Sequence, residues 1–151
     1  MSMYEFTMSL RIRHPNMDPT RITEALGIEP QHSWRAGEQR CDPGGTQLKG
    51  AHRDSYWMWR LIEDPRLSAG QFSVETLLDQ ALSQMRRSLP LLDELHAGGG
   101  MAQLHVSLFA REDLRLDLSA EVLAAFGRLG LAVALEVHLL SQTSGLERQA
   151  N

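Results

Sequence analysis

Cysteine is nearly missing from this sequence. Cys41 stands alone among 151 residues, so no intramolecular disulfide can form and no cysteine-rich zinc site can be built. Long apolar runs are missing too. No stretch of about 18 apolar residues occurs, which argues against a membrane-spanning helix. The first residues, MSMYEFTMSLRIRH, alternate polar and apolar side chains instead of following a basic start with a continuous apolar run, so they do not read as a signal peptide. There is no positive excess: Lys plus Arg is 15 against 19 Asp plus Glu, a net charge of −4. Nonspecific nucleic-acid binding relies on neutralising phosphates and is not expected here. A reducing cytoplasm is the expected compartment, and neither nucleic acid nor membrane is an expected partner.

What is present is an ordinary globular composition, 42% hydrophobic and 23% charged. The length suits one domain with a sizeable core. Residues 1–140 are expected to form a single α+β domain, and 141–151 a polar C-terminal tail.

The hydrophobic period changes along the chain. Tyr4, Phe6, Met8, Leu10 and Ile12 alternate with Glu5, Thr7, Ser9 and Arg11, the pattern of a half-buried strand. Asp18 and Pro19 then suit the cap and first position of a helix whose stripe is Ile22, Ala25 and Leu26, with Gly27 as its stop. The segment 41–54 is Gly-rich and polar and reads as a mobile surface loop. A second strand follows in SYWMWRLI, with Trp57, Trp59 and Leu61 on one face and Tyr56, Met58, Arg60 and Ile62 on the other. Val74, Leu77, Leu78, Ala81, Leu82 and Met85 recur at helical spacing, Pro90 should kink or restart that helix, and the glycines 98–100 end it. MAQLHVSLFA is a third strand. Ser119 caps a helix that Gly130 stops, and LAVALEVHLL is a fourth strand.

The expected fold is therefore α+β: a four-stranded, ferredoxin-like, mainly antiparallel sheet ordered β-α-β, long helix, β-α-β, with helices on one face. The polar second faces of the strands decide against a doubly wound parallel sheet, whose strands should be apolar throughout.

Two stretches could carry recognition. The uncovered sheet face is expected to display Arg11, Arg13, Tyr56, Met58, Arg60, His105, Phe109, Glu136 and His138, a mixture suited to a small anion or a partner; a solvated face or a homodimer interface is the competing reading. The stretch HSWRAGE holds His32, Ser33, Trp34, Arg35 and Glu38. His32, Ser33 and Glu38 are the residue types of general-base chemistry, and Arg35 could hold an anion bidentately. The competing structural reading has Trp34 plugging the core edge and Arg35 paired with Glu38. The six histidines show no i, i+4 pair, and the glycine runs lack a phosphate-loop order, so no metal and no cofactor is expected.

ITEALGIEP, then RAGE, then the tryptophan-bearing strand resemble the bacterial family catalogued as domain of unknown function 4279. Its members share a helix ending in Leu-Gly-Ile with a proline soon after, a Lys-Gly-Glu-like turn and a tryptophan strand. Here Arg35 stands one place further from Gly37-Glu38 than that basic residue does. The resemblance spans nearly the whole chain and implies a small bacterial cytoplasmic domain, immunity-type or stress-associated; it assigns no catalytic residue.

The expected function is a non-enzymatic protein-binding or interaction module, immunity-type among the options, with a protein partner or a homodimer. The alternative is a small-molecule binding protein or hydrolase using residues 31–40. Candidate binding residues are His32, Trp34, Arg35, Glu38, Arg60, His105 and His138.

Overall fold

A computed structural model describes residues 4–141, with side chains outside 63–67; the polar tail expected at 141–151 falls, past Ser141, outside the described residues. Strand β1 (Tyr4–His14) is the centre of the sheet. Its alternation buries Phe6, Met8, Leu10 and Ile12 on one side and leaves Thr7, Ser9, Arg11 and Arg13 on the other. Helix α1 (Pro19–Leu26) follows as its caps predict: Asp18 accepts the Thr20 N–H at 3.0 Å, and the Gly27 N–H donates to the Thr23 carbonyl at 2.8 Å.

The chain then makes a short strand β2 (His32–Trp34) and a hairpin of β3 (Gln39–Cys41) and β4 (Gln47–Ala51). Segment 41–54 is thus largely strand and turn where a loop was expected. Every residue of β3 and β4 is exposed, so no apolar alternation marks them. Their turn is closed by Asp42, whose carboxylate accepts the Thr46 N–H at 2.8 Å.

Strand β5 (Ser55–Ser68) pairs with β1 and carries a bulge. Ser9 lies opposite Arg60 but Met8 opposite Ile62, so Leu61 is an extra residue. The bulge turns Ile62 away from the Tyr56, Met58 and Arg60 side, where simple alternation placed it, and buries it. Helices α2 (Val74–Arg86) and α3 (Leu89–Ala97) are separated at the expected break, with Pro90 in the first turn of α3. Strand β6 (Met101–Ala110), helix α4 (Ala120–Leu129) and strand β7 (Leu131–Leu139) are the last elements among the described residues.

The four-stranded ferredoxin-like sheet is not formed. The described residues make a five-stranded mixed sheet ordered β2-β5-β1-β6-β7, a separate two-stranded β3-β4 sheet, and four helices. β5 and β6 both run antiparallel to β1, and β7 runs parallel beside β6. Helices α2 and α3 therefore carry the chain across β1, and α4 makes the short crossover from β6 to β7. The unexpected strand β2 has three residues, too few to show a period.

All four helices bury residues in one cluster with the inner face of the sheet: Ile22, Leu78, Leu92 and Phe126 meet Phe6, Leu10, Leu104 and Val106. Among the described residues, no helix lies over the opposite face. Gly100 permits one close approach, because a Cβ there would lie 2.9 Å from the carbonyl oxygens of both Arg13 and Leu95.

Trp57 fixes α1 to the sheet. Its ring is fully buried and its Nε1 donates to Thr23 Oγ1 at 3.0 Å. Thr23→Val keeps the shape and strands that donor, so unfolding free energy should fall by about 1–3 kcal/mol in urea titration. In a Trp57→Phe background the same change should cost much less; equal costs in both backgrounds contradict the role.

Candidate functional site

Cross-strand register builds the site. On the uncovered face Arg13 lies opposite Tyr56, Arg11 opposite Met58 and Gln103, and Ser9 opposite Arg60 and His105. Thr7 lies opposite Ser107, which lies opposite Glu136, and Phe109 lies opposite His138. Arg11 and Arg60 are therefore diagonal neighbours on adjacent strands, within reach of one ligand group.

Thr7, Ser9, Arg11, Met58, Arg60 and His105 line a depression of about 260 Å³. Arg11 Nε donates to Ser9 Oγ at 3.2 Å, which aims the guanidinium along the sheet. Neither Arg11 nor Arg60 is ion-paired with a carboxylate among the described residues. The result is a local positive site on a chain whose net charge is −4.

His105 borders this site and is almost buried. Its Nε2 lies 2.9 Å from Glu136 Oε2, and Glu136 Oε1 lies 3.3 Å from His138 Nε2. The His138 ring stacks on Phe109 with centroids 4.9 Å apart. Burial holds the His105 pKa below the usual histidine value; Arg11 adds to that, and Glu136 opposes it. A neutral imidazole donating Nε2–H to the carboxylate accounts for the short contact. Among the described residues no three His, Cys, Asp or Glu side chains form a group able to hold a metal.

A second feature lies at the β2 edge. Trp34 stacks between His52, at 4.2 Å, and Tyr56, at 4.6 Å, and Arg13 covers Tyr56 at 4.9 Å. This aromatic row ties the foot of the β3-β4 hairpin to the sheet. The turn before it needs Gly37, at φ +91°, and is closed by the Glu38 N–H donating to the Arg35 carbonyl at 3.0 Å.

The HSWRAGE residues do not converge. His32 lies opposite Met58 at the sheet edge, and Trp34 is half-buried in the aromatic row. Arg35 reaches the α1 cap at Asp18, 3.5 Å away, not Glu38. Glu38 is exposed in the turn, where its carbonyl accepts the His52 N–H at 2.9 Å. None of the four lines the Arg11–Arg60 depression, whereas Arg60 and His105 do. His138 reaches that depression only through Glu136. Arg11 belonged to the expected open face but not to the residues singled out for binding; Thr7, Ser9 and Ser107 were passed over, although their alternation in the strands marks them as outward-facing.

The lowered pKa of His105 sets a pH dependence. As pH falls through the ordinary histidine value of about 6.5, the unfolded chain takes up a proton that the folded chain resists. Stability is therefore lost across that window until folded His105 itself protonates beside Arg11, Glu136 and His138. His105→Gln should reduce the loss in urea midpoint between about pH 7.5 and about pH 5.5. An unchanged loss contradicts the assignment.

Comparison with known proteins adds a family and no activity. No curated protein matches the chain, and no solved structure matches it. The family model described as "Domain of unknown function (DUF4279)" matches residues 4–140, nearly all of the described chain. With its helix-Gly-Ile-Glu-Pro segment, RAGE turn and tryptophan strand all inside that match, the chain belongs to the DUF4279 family.

Proposed function

We propose that this chain is a non-enzymatic recognition module whose uncovered sheet face binds a ligand through a carboxylate or phosphate held at Arg11 and Arg60. The observation that carries this reading is that Arg11 and Arg60, diagonal neighbours on adjacent strands, line one depression with no described carboxylate paired to either. Two like charges lining one depression repel, and an anion between them relieves the repulsion while accepting bidentate hydrogen bonds. Thr7, Ser9 and Ser107 add neutral hydroxyls around the same depression. Arg11 is half-buried, so solvent screens its attraction less than it does for a fully exposed cation. The exposed, unpaired Cys41 suits a reducing cytoplasm, where we place the protein.

A hydrolase is the competing reading. Ser9, His105 and Glu136 sit on successive strands in the order nucleophile, base, carboxylate. The His105–Glu136 contact fits that order. The Ser9 hydroxyl, however, is held by Arg11, and no Ser9–His105 hydrogen bond occurs among the described residues.

Amide-resolved NMR titration of the full chain with inorganic phosphate, succinate and a blocked glutamate-rich peptide, at constant ionic strength, tests the proposal and separates its ligand sources. Saturable shifts should centre on Ser9, Arg60 and His105 for at least one probe. Arg60→Gln or Arg11→Gln should weaken binding about tenfold or more, the loss of a charge-assisted hydrogen bond. Absence of saturable shifts with every probe, or binding that both variants retain, overturns the proposal. Covalent labelling of Ser9 by a fluorophosphonate overturns its non-enzymatic part.

A further inference from the structure

The second edge of the sheet is independent of the Arg11–Arg60 site. β7 pairs with β6 on one side, and no described strand lies on its other side. α4 covers only its beginning: Leu131 is buried and Val133 half-buried, but Leu135, Val137 and Leu139 on the same side are 45%, 50% and 77% exposed. Edge strands are ordinarily guarded by lysine, proline or a bulge. β7 reads LAVALEVHL, has no lysine or proline and a single carboxylate, Glu136, and holds an unbroken register with β6 from Leu131 to Leu139.

The backbone specifies what can bind there. The N–H of Leu140 turns inward and donates to the Ala110 carbonyl at 2.7 Å. Alternate residues of a parallel edge strand point their backbone groups oppositely, so Leu139, Val137 and Leu135 turn theirs outward. The three residues with outward backbone groups are thus the three with exposed apolar side chains.

We infer that β7 pairs antiparallel with β7 of a second copy of this chain, about a two-fold axis at Val137. In that register Val137 exchanges both backbone hydrogen bonds with its own counterpart, and Leu135 faces Leu139 of the second copy. Glu136 then faces His138 of the second copy on the other side of the sheet, an acidic group opposite an imidazole. An axis at Glu136 sets two carboxylates against each other, and one at His138 sets two imidazoles against each other. The Val137 axis also matches every outward backbone group with another. Apolar side chains pair with apolar ones, polar with polar, as an isologous interface requires. The two uncovered faces become one continuous surface, with an Arg11–Arg60 depression toward each end.

Sedimentation equilibrium and light scattering of the full chain over about a hundredfold dilution test the inference. A reversible dimer is expected, lost in Val137→Lys, which sets two ammonium groups face to face at an exposed position; circular dichroism confirms that the variant is folded. Val137→Cys in a Cys41→Ser background should form a covalent dimer on mild oxidation, while Leu123→Cys, an exposed position on α4, should not. A monomer at every concentration, a dimer that Val137→Lys leaves intact, or equal cross-linking at both positions overturns the inference.

Discussion

β1 has to serve two environments at once. It lies between two antiparallel neighbours, and its pleat sends alternate side chains to opposite faces. Phe6, Met8, Leu10 and Ile12 are pressed into the helix-covered core, which holds the strand in register. That register fixes Thr7, Ser9, Arg11 and Arg13 on the other side. A slip of one residue would exchange the two sets. The burial of one side is thus what makes the polar side of β1 rigid, and β5 and β6 align their own polar residues to it.

This arrangement accounts for the electrostatics of the uncovered face. Arg11 and Arg60 arrive from different strands, and neither backbone can move away from the other without breaking the sheet. Glu136, on the same face of β7, is engaged by the imidazoles of His105 and His138. The positive charge on β1 and β5 therefore stays uncompensated by described carboxylates. At the β2 edge Arg13 is placed differently: Tyr56 takes its charge on an aromatic face, as part of a row that anchors the hairpin. One face thus carries one cation seated on an aromatic ring, Arg13, and two, Arg11 and Arg60, that no described carboxylate pairs.

Much of the fold was legible because its elements are periodic. The alternation in β1, β6 and β7, the caps Asp18 and Ser119, and the break before Pro90 all reflect local chemistry that the sequence displays. Three things were not local. β2 is too short to show a period, and β3 and β4 are exposed on both faces, so their residues carry no burial pattern. The bulge at Leu61 shifts the pleat without a glycine to announce it. Strand order depends on where α2 and α3 lead the chain, which their own sequences do not encode. The site followed the same division. His32, Trp34, Arg35 and Glu38 are neighbours in sequence, but Arg35 leaves for Asp18 and Trp34 joins an aromatic row. Arg11, Arg60 and His105 are far apart in sequence, and only the pairing of β5, β1 and β6 unites them.

We propose that Arg11 and Arg60 are held together against their mutual repulsion for the sake of a ligand. Thermal stability of Arg60→Gln as a function of salt tests it most directly, since binding sites trade stability for function. The variant should melt above the parent protein at low ionic strength, and the difference should shrink as salt screens the repulsion. A variant that melts below the parent at low salt would show that Arg60 stabilises the fold, and the account of the uncovered face would be wrong.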